Sequence, residues 1–392
     1  MEKNDTNAAL RAHSRQSILQ LIQQNGTISR AELARRLELS RSTVSENIAP
    51  LLQCGVLQEV GTAHAQRVGG RRPVLLQIQG EYCYFVAAEL GLEQPIFALS
   101  DLNGCQLYRQ VLTVRDSAPY AERLQQCIAA ISTLLRQGNV PSGHLAMIAL
   151  SSPGAFSGSD EQFLLNPEFE NWDVRRLIDD LERHFQTHVL WANDINAATV
   201  GEYHQGAGQR VSNLLFMGCG MGIGMGMILD GNLYTGSRGS AGEIARVRVG
   251  RLNTPLRTQV EIPSLMDRIR MEAPPATRAA FRTPMENWEF QQVVQLWRNG
   301  DPFLYALVED IGRALGEILI TALSLLNCER VVFGGDYLVF ESQLLPLLNQ
   351  AVQREAFDPV EVVSSSLRQE AGLYGLISMA VEQQLQHIAM ER

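Results

Sequence analysis

Two serines, Ser29 and Ser40, each followed by an apolar stripe at helical spacing, constrain this chain more tightly than any other feature. Ser29 has Glu32 three residues on, the reciprocal pairing in which hydroxyl and carboxylate each satisfy a free amide at a helix start. The helix begun there, SRAELARRLE, buries Leu33 and Leu37 and turns Arg35 and Arg36 outward. Ser40 caps the next, RSTVSENIAPLLQCG, with Val44, Ile48, Leu51 and Leu52 as its inner stripe. The opposite face of its first turns carries Arg41, Ser42, Thr43, Ser45, Glu46 and Asn47. Ahead of both, Leu10, Ile18, Leu19 and Ile22 recur at helical spacing until Asn25-Gly26, a helix stop. After them VLQEVG and GGRRPVLLQIQ read as two strands of a wing. Gln66 and Arg67 lie in its loop, Gly69-Gly70 near its tip, and Arg71 and Arg72 beside the tip.

Helices followed by a basic, glycine-tipped wing make residues 29 to 73 a winged helix-turn-helix. Short polar side chains on the first turns of the last helix suit base edges and phosphates in a major groove. Arg67, Arg71 and Arg72 suit phosphate or the minor groove. The alternative is a three-helix protein-interaction module with a solvated charged face. Charge placement favours nucleic acid. The whole chain has a net charge of -9, yet residues 1–80 carry +4 and the other 312 residues carry -13. A basic head meets phosphate while repulsion keeps an acidic body off the duplex.

At 392 residues, with 45% hydrophobic and 19% charged side chains, the chain has the length of two or three domains and an ordinary globular composition. It contains no apolar run of membrane-spanning length, and its polar start predicts a cytoplasmic protein without membrane association. The six cysteines have no metal-binding spacing and read as thiols in a reducing compartment, so no metal is expected.

From Tyr82 the pattern changes. YFVAAELG, PIFALSDLNG and CQLYRQVLTV read as successive strands, and Tyr120 to Gly138 as an amphipathic helix. LAMIALSSPGAF is a strand entering a Pro-Gly loop, THVLWANDINAATVGEY a strand then a helix, and SNLLFMGCGMGIGMGMILDGNLY a glycine-rich hairpin. RALGEILITALSLLN, ERVVFGGDY and AGLYGLISMAVEQQL close the chain as helix, strand and helix. This interleaving predicts an α/β body of two lobes around a cleft, joined to the head by a short linker at Gln79 to Cys83. The expected domains are 1–80, 81–193 with about 368–392, and 194–367. Asp194 follows a strand end, where a carboxylate faces the cleft of an α/β fold; a helix cap is the other role for that position. The glycines from Gly218 to Gly226 admit either a phosphate or tight strand packing. Glu243, taken alone, reads as a surface acid.

These pieces in this order resemble the ROK family of repressors and sugar kinases across essentially the whole chain. The matching stretches are the head through GGRRP, SSPGAF with LNPEFENW, WANDINAATVGEY, the glycine stretch ending in ILDG, and GSAGEI. The resemblance implies a winged helix-turn-helix followed by a two-lobed actin-like, ribonuclease-H-like ATPase fold. It also implies homodimers or higher oligomers on palindromic operators in double-stranded DNA, controlled by a sugar or sugar derivative between the lobes. By motif, sugar contacts fall on Asn166, Asn193, Asp194 and Glu243, with Glu261 beside them after a shortened segment. Asp194 matches the general base of the kinases.

Departures from the family decide between repressor and kinase. The first phosphate loop, DxGGT in the kinases, reads Glu89-Leu90-Gly91-Leu92-Glu93, with a carboxylate where phosphate would lie. The second, GTG, reads Gly220-Met221-Gly222, and the chain's one lysine is Lys3. A sugar kinase that kept a DNA-binding head is therefore the second reading, and a regulator without catalysis or cofactor the first. The zinc ligands of the family are replaced too. Ala245-Arg246 follows AGEI, and residues 247–260 contain no cysteine. Arg246 then either reads an acidic or phosphorylated sugar or pairs with a neighbouring acid.

Overall fold

A computed structural model describes residues 2–62, 73–91, 94–115, 117–157, 162–164, 172–250 and 253–391. It opens with the expected helices, α1 (Glu2–Asn25), α2 (Arg30–Arg36) and α3 (Arg41–Gln53), and the strands β1 (Ile28–Ser29), β2 (Leu57–Thr62) and β3 (Val74–Ile78). Both serine caps form: Ser29 Oγ accepts from the Glu32 amide at 3.2 Å and Ser40 Oγ from that of Thr43 at 3.0 Å. Ile18, Leu19, Ile22, Leu33, Val44, Ile48 and Leu76 fill the interior, and β3 is the middle strand between β1 and β2. The apolar stripes are narrower than expected. Leu10 is 59% exposed, and Leu37 and Leu52 are half-buried, because they fall at the edges of stripes centred on Leu33 and Val44.

The chain divides into two compact units, one of Met1–Ser152, Glu168–Ala192 and Leu376–Arg392, the other of Pro153–Pro167 and Asn193–Gly375. In the first, the head continues into β4 (Tyr84–Glu89), β5 (Ile96–Asp101), β6 (Gln106–Val111), α4 (Tyr120–Gln137) and β7 (Leu145–Ser152). The short strands β8 (Ala155–Ser157) and β9 (Gln162–Leu164) belong to the second unit, and α5 (Val174–Phe185) returns to the first. β10 (His188–Asn193) completes a sheet in the order β10-β7-β4-β5-β6. β4, apolar on both faces, is a central strand, parallel to β7 and antiparallel to β5.

The second unit holds α6 (Asp194–Gln205), β11 (Leu214–Cys219), β12 (Ile223–Leu229), β13 (Asn232–Leu233), β14 (Arg248–Val249) and β15 (Thr254–Pro255). The helices α7 (Arg257–Val260), α8 (Ile262–Glu272), α9 (Pro275–Ala280), α10 (Phe290–Arg298) and α11 (Pro302–Leu326) follow. Last come β16 (Arg330–Gly334), α12 (Glu341–Glu355), β17 (Val362–Ser364) and α13 (Ala371–Met390), which begins in this unit and ends in the first. Its sheet runs β13-β12-β11-β16-β17, with the β11–β12 pair antiparallel and β11–β16–β17 parallel. The same plan, an antiparallel meander beside parallel strands, therefore occurs twice, as expected for the two α/β lobes.

The glycine stretch serves packing. A Cβ on Gly218 or Gly224 would press into Ile195, and one on Gly226 into Thr199, so these glycines let α6 lie directly on β11 and β12. α6 in turn meets α13 backbone to backbone, Gly201 against the Ala371 carbonyl and Gly375 against that of Ala197. In the first unit, Arg15 of α1 donates through Nη1 to the Glu391 carbonyl at 2.6 Å. The linker is held as well, with the Gln79 amide donating to the Val56 carbonyl at 2.8 Å and the Leu102 amide to that of Gly80 at 3.1 Å.

Candidate functional site

Arg41, Ser42, Ser45 and Glu46 are exposed along one face of α3, and Thr43 is half-buried beside its cap. The arginines of α2 are occupied: Arg35 and Arg36 both bind Glu32, and Arg36 also reaches Asn25 at 3.0 Å. Arg30 pairs with Glu59 at 3.0 Å. Among the described residues Arg41 makes no ion pair, so its guanidinium stands free at the start of α3. Asn47 corrects the sequence expectation. It is 4% exposed and its Nδ2 donates to the Thr43 carbonyl at 2.9 Å, because three residues after Val44 it falls on the inner stripe. Arg67, Arg71 and Arg72 lie outside the described residues.

The ligand candidates that the structure describes all belong to the second unit; Asn166 and the Leu92-Glu93 pair lie outside the described residues. Asn193 is the N-cap of α6, its Oδ1 accepting from the Asn196 amide at 3.1 Å, while its Nδ2 donates to the Gly154 carbonyl at 2.8 Å. With the cap supplied by Asn193, Asp194 is released from that role. Its Oδ1 accepts from the Ile195 amide at 2.8 Å. Burial, and then the Glu243 carboxylate, push the Asp194 carboxyl up to about 6 against the pull of that amide. Desolvation also raises Glu243, with Arg246 opposing it. Arg246 ends the short 3-10 turn Ile244–Arg246 and, among the described residues, makes no hydrogen bond or close ion pair. Two carboxylates that accept hydroxyl protons thus stand beside a guanidinium with donors to spare.

Glu261 pairs with Arg257 at 3.4 Å and shares its surroundings with Cys219 and the buried Tyr337. The stretch in place of the zinc motif folds as the β14–β15 hairpin, pinned by Gln259, whose Nε2 donates to the Val249 carbonyl at 3.1 Å and to Thr254 Oγ1 at 2.8 Å. Among the described residues no cluster of three or more histidine, cysteine or acidic side chains could hold a metal ion. The six cysteines are free thiols. Three residues with a structural part were not singled out from sequence: Gln259, Asp336 and Glu202. Glu202 is fully buried and accepts from Ser365 Oγ at 2.5 Å and from the amides of Ala207 and Leu367 at 2.7 and 2.9 Å.

Residues 85–383 match the model of the ROK family. The chain belongs to the ROK family. Residues 11–58 match a second model, that of a winged helix-turn-helix DNA-binding domain, so the head is of that type. Among curated relatives, the DNA-binding transcriptional dual regulator NagC of Escherichia coli is 24% identical over 386 residues, covering 93% of this chain and 92% of its own. The xylose repressor of Bacillus subtilis is 26% identical over 382 residues, covering 95% and 96%. A solved ROK transcriptional regulator, a homologue of the E. coli MLC protein, superposes with a TM-score of 0.77 at 20% identity over 97% of this chain and 99% of its own. A ROK glucokinase of Streptomyces griseus, solved with glucose and AMPPNP, gives 0.61 at 21% identity over 76% and 98%. The kinase match stops short of full coverage, whereas the regulator match runs through head and body alike.

Proposed function

We propose that this ROK chain is a DNA-binding transcriptional regulator, a repressor of a carbohydrate operon, controlled by a sugar or sugar derivative and without catalytic activity. The free face of α3 is the observation that carries it: Arg41, Ser42, Ser45 and Glu46 stand exposed on a helix capped at Ser40, in a head of winged helix-turn-helix type. Arg67, Arg71 and Arg72 add phosphate contacts, and homodimers or higher oligomers place paired heads on a palindromic operator in the cytoplasm. Asn193, Asp194, Glu243 and Glu261, with Asn166, bind the ligand's hydroxyls, and Arg246 takes an anionic group on it. The names of two relatives, an N-acetylglucosamine repressor and a xylose repressor, support a sugar-linked effector.

The test is selection of genomic fragments by the purified chain, followed by anisotropy titration of the retained sequence against unrelated DNA. Neutral and phosphorylated or acidic sugars are then added in turn. Discrimination of at least about 1000-fold is expected between operator and bulk DNA. Retention of no sequence above bulk, or phosphorylation of a hexose from ATP, would remove the reading. Binding of a neutral sugar that Arg246→Ala leaves unchanged would remove the part given to Arg246.

A further inference from the structure

Backbone amides at a glycine-flanked turn form a concave donor surface that takes an anion. Gly220-Met221-Gly222 joins β11 to β12 in such a turn, closed by the Gly220 amide donating to the Gly222 carbonyl at 2.9 Å. The Met221 amide donates to Asp336 Oδ2 at 3.2 Å, so the turn already holds a carboxylate. Asp336 reaches it because Gly334-Gly335 end β16. Gly335 has φ of +86°, where a side chain is strained, and it lies against the Cys219 backbone. A Cβ on Gly220 would collide with that same carboxylate, which makes Gly220 a requirement of Asp336 itself. With Gly218, Gly224 and Gly226 spent on α6, four glycines of this stretch have structural partners within the chain. Glu261, near Cys219 and Tyr337 as Asp336 is, adds a second acid to the neighbourhood.

We propose that Asp336 is the resident anion of the β11–β12 turn and excludes phosphoryl groups of nucleotides from it. A phosphate oxygen placed to accept from Met221 would meet the carboxylate in both charge and volume. Replacing the carboxylate with nothing frees the amide. Replacing it with a carboxamide leaves a neutral acceptor there. The inference rests on the non-catalytic reading above and gives that reading a residue.

The experiment is thermal denaturation of the full chain and of Asp336→Gly and Asp336→Asn, with magnesium AMPPNP or inorganic pyrophosphate, alongside a hexose–ATP turnover assay. The wild-type chain is expected to be silent. Asp336→Gly should rise by roughly 2–3 °C at about 5 mM probe, and Asp336→Asn by less. Native circular dichroism of the variants guards against misfolding, and the isosteric Asn variant alone suffices if the Gly variant fails to fold. Folded variants as silent as the wild type overturn the inference and leave the non-catalytic reading standing. Wild-type turnover overturns both.

Discussion

Asp194 holds its proton beyond the ordinary carboxylate range. Its carboxyl sits near 6 in the folded chain against 3.8 ordinarily, so the folded form keeps a proton that the unfolded form loses. The contribution of Asp194 to stability is therefore full below about 4, falls as pH rises from there through about 6, and is level above that. Asp194→Asn removes the buried charge and should stabilise the protein at pH 7.5 by about 2 kcal/mol, while flattening the profile between about 4 and 6. Urea melts at both ends of the window check this; a variant less stable than wild type at pH 7.5 would contradict the raised carboxyl. Arg41→Ala should weaken operator binding by about 1–3 kcal/mol and relax discrimination at one base position, whereas Arg71→Ala should weaken all sequences alike. Anisotropy on operator and scrambled duplexes separates the two. The candidate ligand residues Asn193, Asp194 and Glu243 could be named from sequence because the motifs WANDIN and GSAGEI are local. Asn47 departs from the expectation because one residue's difference in helical phase turns it from the outer face to the inner.

At the scale of elements, the head depends on its caps. Ser40→Ala leaves the Thr43 amide without its acceptor and should cost about 1 kcal/mol, read as lost hydrogen-exchange protection in the first turn of α3. Unchanged protection there would mean that water replaces the cap without loss. The bond from Arg15 to the Glu391 carbonyl ties α1 to the end of α13, a helix whose other end packs on the helix bearing Asp194. Arg15→Ala should raise amide exchange in α1 several-fold with little change in β4, and exchange equal to that of the wild type would leave the bond without mechanical consequence. The strands and glycine-rich hairpin were readable from their periodicity. The β14–β15 hairpin was not, since its strands are two residues each and Gln259, which bonds to both, lies outside them and carries no pattern of its own.

For the whole molecule, the basic side chains of residues 1–80 should make DNA affinity depend on salt through the phosphates that they neutralise. The logarithm of affinity should fall linearly with that of salt, and each phosphate-contacting arginine removed should lower the slope by about 1. A slope unmoved by Arg67→Ala, Arg71→Ala and Arg72→Ala would place the wing away from the backbone. The two-lobed plan was legible from sequence because each lobe repeats one order of strands and helices. The contact between Asp336 and Met221 was not, because the two are 115 residues apart. The hairpin pinned by Gln259 also bears on the conditions under which such a regulator operates. Amide-to-carbonyl bonds do not change with oxidants or with the supply of trace metal. Zinc scarcity or peroxide stress would leave this part of the molecule in shape, and the operon's response to carbohydrate would stay uncoupled from those stresses there.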